Sequence, residues 1–271
     1  MIAAPVEYRR ASSLEDALDA LTEPEARALA GGHSLLPVMK LRLVRPSLLV
    51  DIGHLGLRGV ETHDGELYLG SLTVWDDLVR EPLLRRPALS ALNECAEGIG
   101  DLQVRNRGTV GGSLAHADPA SDMPAVALAF GAELELRSRD GERRVAASEF
   151  FLGPFMTALA PGELITSIAI PLPSPGSGSA YVCIEHPASG FALAGAAAVV
   201  EARETRIALT GVGAHAFLLP QGEPIGHLGE AEVFGDAFAP AEYRRHLAAV
   251  VARRALALAA ARAEEDRDWT A

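Results

Sequence analysis

Two paired-glycine segments hold the residues best suited to chemistry. Ala30-Gly31-Gly32-His33-Ser34-Leu35-Leu36-Pro37 is echoed by Thr109-Val110-Gly111-Gly112-Ser113-Leu114-Ala115-His116-Ala117-Asp118-Pro119-Ala120-Ser121-Asp122. In each, an apolar residue precedes the glycines and a small or polar residue follows. Without Cβ atoms the main chain can come close to a ligand. Consecutive N–H groups can then form a concavity for an anion. Two such loops point to a ligand with two phosphates, held from both sides. A tight turn without a ligand uses the same residue pair. The inference therefore rests on the second copy and on the extended segment ahead of each loop. No G-x-G-x-x-G and no Gly-Lys-Ser/Thr occurs, so neither loop reads as a Rossmann fingerprint or a P-loop.

Other polar residues near the loops have weaker claims. His116, Asp118 and Asp122 are poorly spaced for metal ligands on a helix face, and no metal site is expected. One of these carboxylates is better placed to accept hydrogen bonds from ligand hydroxyls. Arg105-Asn106-Arg107 faces a phosphate or forms a solvated basic patch, and composition does not separate the two. His33 lies in no Gly-x-Ser-x-Gly context, so it reads as a loop residue offering its main-chain N–H rather than as a general base. No catalytic side chain is assigned.

The loops have to be held by a folded frame, and the composition permits one. The chain has 271 residues, 49% of them hydrophobic, enough for a sizeable core divided into lobes. A formal charge of −12 argues against a nucleic-acid partner. No apolar run approaches the roughly 20 residues of a membrane span. The first ten residues lack a signal-peptide pattern, and a cytoplasmic location is expected. Only Cys95 and Cys183 are present, too few for an iron–sulfur cluster, and both are expected as buried thiols.

Periodicity supplies the elements. Ser12 or Ser13 caps a helix with Leu14, Ala17, Leu18 and Leu21 on one face. Arg27–Ala30 and Leu48–Ile52 read as strands flanking a turn or short helix from Leu35 to Leu43. A strand at Glu66–Gly70 precedes helices over Thr73–Leu84 and Ala88–Glu97. A short helix is expected at Pro124–Ala129, a helical turn at Ser148–Leu152, and strands at Ala132–Leu136 and Ile165–Ile170. Pro171 to Ser179 reads as a linker. Beyond it, Ala180–Ile184, Leu193–Glu201 and Arg206–Val212 predict an antiparallel sheet. An irregular stretch from Pro220 to Ala239 precedes a final helix starting at Pro240, whose tail, Glu264–Asp268, is expected to fray. The lobes are placed at residues 1–54, 55–173 and 174–271.

With these residues assembled, a family resemblance emerges. Ala30-Gly31-Gly32-His33-Ser34-Leu35-Leu36-Pro37-Val38-Met39-Lys40-Leu41-Arg42 resembles the first FAD-binding loop of the middle subunit of molybdenum hydroxylases, the family of aerobic carbon monoxide dehydrogenase and xanthine dehydrogenase. Gln103 to Pro119 resembles the second, and Phe150–Phe155 and Pro161–Ile165 are similar to further segments. The likeness covers about residues 5 to 215. It implies an α+β, two-lobed FAD-binding fold of the vanillyl-alcohol oxidase or PCMH type, with a C-terminal antiparallel sheet-plus-helix domain covering the flavin. It implies FAD contacts from Leu29, Ala30, Gly31, Gly32, His33, Ser34, Leu35 and Leu36. The second loop would add Thr109, Val110, Gly111, Gly112, Ser113 and Asp118. Asp122 matches an aspartate near the ribose or adenine end, Ile99 a position beside the flavin, Leu164 and Ile165 the adenine region, and Phe191 the flavin face.

The implied role is a flavoprotein subunit. It would carry electrons from a small [2Fe-2S] subunit, fed by a large molybdopterin subunit, to NAD, oxygen or a quinone. One run departs from the family pattern Lys-x-x-x-Arg-x-x-Asp-Phe/Tyr-Ala. Val182, Glu185 or His186, and Gly190 stand where basic residues and an aspartate are common. That departure motivates an alternative, a stand-alone FAD-dependent oxidoreductase acting on a small molecule through an altered third lobe, with Glu185 or His186 as base. A degenerate scaffold that binds flavin weakly is the non-enzymatic alternative.

Overall fold

The computed structural model describes residues 2–222, 225, 227–228 and 231–270. Its first sheet contains β1 (Glu7–Arg10), β2 (Arg27–Leu29) and β3 (Leu48–Asp51), with α1 (Leu14–Ala20) and α2 (Leu35–Lys40) in the two connections. The strands pair in parallel with β3 in the middle, because each connection contains a helix that returns the chain to the same end of the sheet. Ser13 caps α1 by accepting from the Asp16 N–H at 3.1 Å, and Ala17 and Leu18 point into the core. β2 ends directly at the first glycine pair, and α2 begins two residues beyond His33.

The second sheet is antiparallel. It contains β4 (Val60–His63), β5 (Glu66–Gly70), β6 (Glu133–Ser138), β7 (Gly141–Ala146) and β10 (Leu164–Pro171), ordered β4-β5-β10-β6-β7. Between β5 and β6 run α3 (Trp75–Arg80), a 3₁₀ turn (Pro82–Arg85), α4 (Ser90–Gly98), α5 (Leu102–Arg105), α6 (Val110–His116) and α7 (Met123–Phe130). After β7 come α8 (Ala147–Phe150) and the small hairpin of β8 (Phe151–Gly153) and β9 (Met156–Thr157). The single helix expected from Thr73 to Leu84 is split. Proline at 82 has no N–H for the helical ladder, so α3 stops at Arg80 and a 3₁₀ turn follows. Every residue of α7 is buried, as a helix that is apolar all round requires, and Gly131 ends it at φ 63°.

The third sheet contains β11 (Gly178–Glu185), β12 (Ala192–Val200), β13 (Thr205–Thr210) and β14 (Phe217–Leu218), all antiparallel. A long helix, α9 (Ala241–Thr270), closes the chain. β12 is buried on both faces, and its alternation decides which lobe each residue serves. Ala197 and Val199 join the core of the second lobe, whereas Ala194, Ala196 and Ala198 pack towards α9. The tail that was expected to fray stays helical, and one reason is local: Asp266 accepts from the Gly176 N–H at 2.7 Å. Cys95 is buried as expected, but Cys183 is only half-buried. Among the described residues no helix is long and apolar enough to cross a membrane.

Gly178 is where α9 meets β11 most closely. A Cβ there would overlap the Ala259 carbonyl oxygen and lie 3.0 Å from the Arg262 carbonyl carbon. Gly178→Ala is therefore expected to cost about 2 kcal/mol through forced separation of helix and strand. A thermal melt should show a Tm lower by roughly 5 °C. An unchanged Tm would mean that α9 slides without penalty.

Candidate functional site

The first glycine loop is a row of open main-chain donors. Among the described residues, the N–H groups of Gly31, Gly32, His33, Ser34 and Leu35 meet no acceptor. Gly32 takes φ 75°, a conformation costly for other residues and one that turns successive N–H groups to one side. His33 braces the turn, its Nδ1 lying 3.0 Å from the Gly31 carbonyl oxygen. A carbonyl only accepts, so Nδ1 carries the proton. His33 is thus a loop-bracing residue, as its sequence context suggests. The Ser34 hydroxyl makes no capping bond to α2.

The second loop is built differently. Its N–H groups are already used: Val110 donates to Thr73 O at 3.0 Å, Gly111 to Ser71 O at 2.9 Å, Gly112 to Thr109 Oγ1 at 3.2 Å and Ser113 to Thr109 O at 3.0 Å. Its glycines serve close packing. A Cβ on Gly111 would sit 2.8 Å from Ser71 O, and one on Gly112 would sit 2.7 Å from Thr109 Oγ1. Two equal anion grips are therefore not what the fold contains. One loop offers the donors, and the other packs tightly against residues 71–75 at the start of α6. The difference arises because residues 71–75 run alongside the second loop, with an isolated bridge between Val74 and Thr109.

The two loops meet directly. A Cβ on Gly31 would overlap the Arg107 carbonyl oxygen and approach the Arg107 carbon to 2.8 Å and Gly108 Cα to 3.0 Å. Arg105, a candidate phosphate contact or solvated charge, does neither. Its Nη1 donates inward to the carbonyls of Glu97, Ile99 and Gly100 at 3.3, 3.1 and 3.0 Å. It thereby ties down the end of α4 and the half-buried Ile99. Arg107 is exposed.

From the second loop the site continues along α6, about 10 Å long at helical rise. Ala117 leaves the helix in the left-handed conformation, and Asp118 Oδ1 accepts from the Ala120 N–H at 2.9 Å. The third lobe clamps this turn: Ala192 N–H donates to Ala120 O at 3.3 Å, Gly211 N–H to Pro119 O at 2.9 Å and Thr210 Oγ1 to Ser121 O at 2.6 Å. Phe191, immediately before the first of these contacts, is 48% exposed.

Asp122 lies beneath this turn and is buried. It accepts from the Tyr181 hydroxyl. Burial drives its pKa from an ordinary 3.8 to about 6, opposed by the Tyr181 bond and assisted by the negative charge of Glu185. Burial likewise pushes the Cys183 thiol up to about 12, with the Asp122 charge adding to it. Sequence reasoning missed Tyr181 as the partner of Asp122, because nothing local links a residue of β11 to one 59 positions earlier. Leu164 and Ile165 are buried in different hydrophobic clusters, and Ala30 packs against the cluster of Leu164. Their side chains face core, so main chain is what they can offer a ligand.

The open donors suit an anionic ligand, and they fit the pyrophosphate of FAD. Comparison with known proteins agrees. Residues 4–173 match the family model described as the FAD binding domain in molybdopterin dehydrogenase. The carbon monoxide dehydrogenase medium chain of Afipia carboxidovorans is 35% identical, over 97% of this chain and 100% of that one. The glyceraldehyde dehydrogenase medium chain of Sulfolobus acidocaldarius is 39% identical, over 74% of this chain and 71% of that one. The solved structure of reconstituted CO dehydrogenase from Oligotropha carboxidovorans superposes with a TM-score of 0.91 at 35% identity, covering 97% of this chain and 100% of that chain.

Proposed function

Because this chain belongs to the family of FAD-binding medium subunits of molybdopterin dehydrogenases, we propose that it works as the flavin station of a three-part enzyme. When bound, FAD supplies the redox chemistry, taking electrons from a small [2Fe-2S] partner fed by a large molybdopterin partner and delivering them to NAD, oxygen or a quinone. The chain itself binds and orients. The row of unpaired N–H groups from Gly31 to Leu35 is the observation that carries this reading. Those groups hold the pyrophosphate, Gly111 and Gly112 let the start of α6 pack close enough to border it, and Ile99, Asp118, Asp122 and Phe191 line the remainder. Leu164 and Ile165 contribute through main chain. The lobes divide at residues 54 and 173, so that residues 1–173 bind the cofactor and 174–271 cover it. A reducing cytoplasm suits two free thiols.

The relatives are named for different substrates, carbon monoxide and glyceraldehyde. Substrate choice is then a property of a partner chain. The test is purification from the native host followed by cofactor analysis. FAD, iron–sulfur and molybdopterin in one complex are expected. A purified chain that gains no visible flavin absorbance after reconstitution would sink the proposal. The half-exposed Phe191 and the altered run from Val182 to Gly190 favour one rival, a stand-alone flavoenzyme with a substrate pocket at that edge. Reduction of the isolated, FAD-loaded chain by a small molecule would establish that rival.

A further inference from the structure

We infer that His186 is a positioning residue, whose imidazole closes the turn that carries Phe191 against the segment 118–122. The inference rests on the assignment of Phe191 to the flavin face proposed above. Residues 186–191 join β11 to β12. His186 Nδ1 accepts from the N–H groups of Ala188 at 3.2 Å and Ser189 at 3.3 Å. Both partners are donors, so Nδ1 is unprotonated and the ring proton sits on Nε2. The main chain of the same residue completes the closure. Its N–H donates to Phe191 O at 2.7 Å, and its carbonyl accepts from the N–H groups of Ser189 at 3.2 Å and Gly190 at 2.9 Å. Gly190 supplies the φ of 73° that the turn requires. Phe238 covers the imidazole, with ring centroids 4.1 Å apart and tilted by 52°.

The Phe191 ring is half-exposed and belongs to none of the hydrophobic clusters of the described residues. Its placement is inherited from the backbone on either side. Ala192 is tied to Ala120 on one side, and on the other the turn is held by His186. A lysine or arginine at position 186 has no acceptor and could not close this turn. Asparagine could, because its side-chain oxygen accepts from the N–H two residues on.

The experiment compares His186→Ala, His186→Asn, Phe191→Ala and the double variant His186→Ala/Phe191→Ala. Amide hydrogen exchange at Ala188 and Ser189 is measured in the chain without flavin. Iodide quenching of flavin fluorescence is measured in the FAD-loaded chain. His186→Ala is expected to speed exchange at Ala188 by on the order of tenfold, since its one acceptor among the described residues is lost, and at Ser189 by less, because that N–H keeps the His186 carbonyl. It should also raise the quenching constant severalfold, and His186→Asn should restore both readouts. Phe191→Ala should raise quenching equally, and the double variant no further, because the two residues act as one unit. If Phe191→Ala raises quenching while His186→Ala does not, or if His186→Asn restores nothing, the role of His186 is overturned and the Phe191 assignment stands. If Phe191→Ala leaves quenching unchanged, both fall together.

Discussion

Gly31→Ala is expected to abolish useful FAD affinity while leaving each lobe folded. The added methyl would overlap the Arg107 carbonyl oxygen, and neither backbone can retreat easily. Gly31 borders the row of open N–H donors, and Arg107-Gly108 leads straight into Thr109, the cap of α6. Forcing them apart displaces the donor loop from the segment that leads into α6. An overpacked contact of this type costs about 3 kcal/mol, and if all of that falls on binding, affinity drops roughly 100-fold. Titration of the apo-protein with FAD, followed by fluorescence, reads this directly. An unchanged Kd would show that the meeting of the loops is irrelevant to the cofactor. Gly32→Ala makes a useful comparison, because there the obstacle is φ 75° and the nearest neighbour is the Leu36 side chain, which can move. Its effect should be smaller.

Asp122→Asn should change how stability depends on pH. The folded-state pKa of about 6 lies above the ordinary 3.8, so folding favours the protonated carboxyl. Its contribution is fully present below about pH 4 and is lost as pH rises through 6. At neutral pH the buried, ionised side chain destabilises the fold by about 3 kcal/mol relative to its neutral form. Asparagine stays neutral throughout. The stability of the variant minus that of the wild type should therefore climb by about 3 kcal/mol between pH 4 and pH 7.5. Any constant offset from the new amide group is separate from this slope. Denaturant melts of the apo-protein at several pH values make the measurement, and a flat difference would show that Asp122 is ionised in the fold at acid pH. Acid-sensitive carboxylates elsewhere, such as Glu163 held low by Arg143, affect both proteins alike and cancel.

Much of the frame was legible from local pattern. The cap and apolar face of α1 and the strands β6 and β10 followed from periods of 3.6 and 2, and β3 and the three antiparallel strands after the linker from short strand-like runs. The short helix expected at Pro124–Ala129 is α7, one residue longer at each end. β4 and β7 were not found. Each is largely exposed, and β7 reads Gly-Glu-Arg-Arg-Val-Ala, so no alternation marks them; they exist because β5 and β6 offer edges for pairing.

The sequence by itself determined which residues could approach an anion. A glycine's freedom is a property of the residue, and two such loops already implied a ligand with two phosphates. Only the tertiary structure decided how the work is divided. The donors of the first loop stay open, whereas Ser71, Thr73 and Thr109 consume those of the second. Packing also turned Arg105 inward, set Tyr181 over Asp122 from 59 residues away, and closed the turn below Phe191 through His186. These are contacts between distant segments. Local sequence fixes a backbone's options, but burial and partners are set where lobes meet, and the chemistry of this site depends on both.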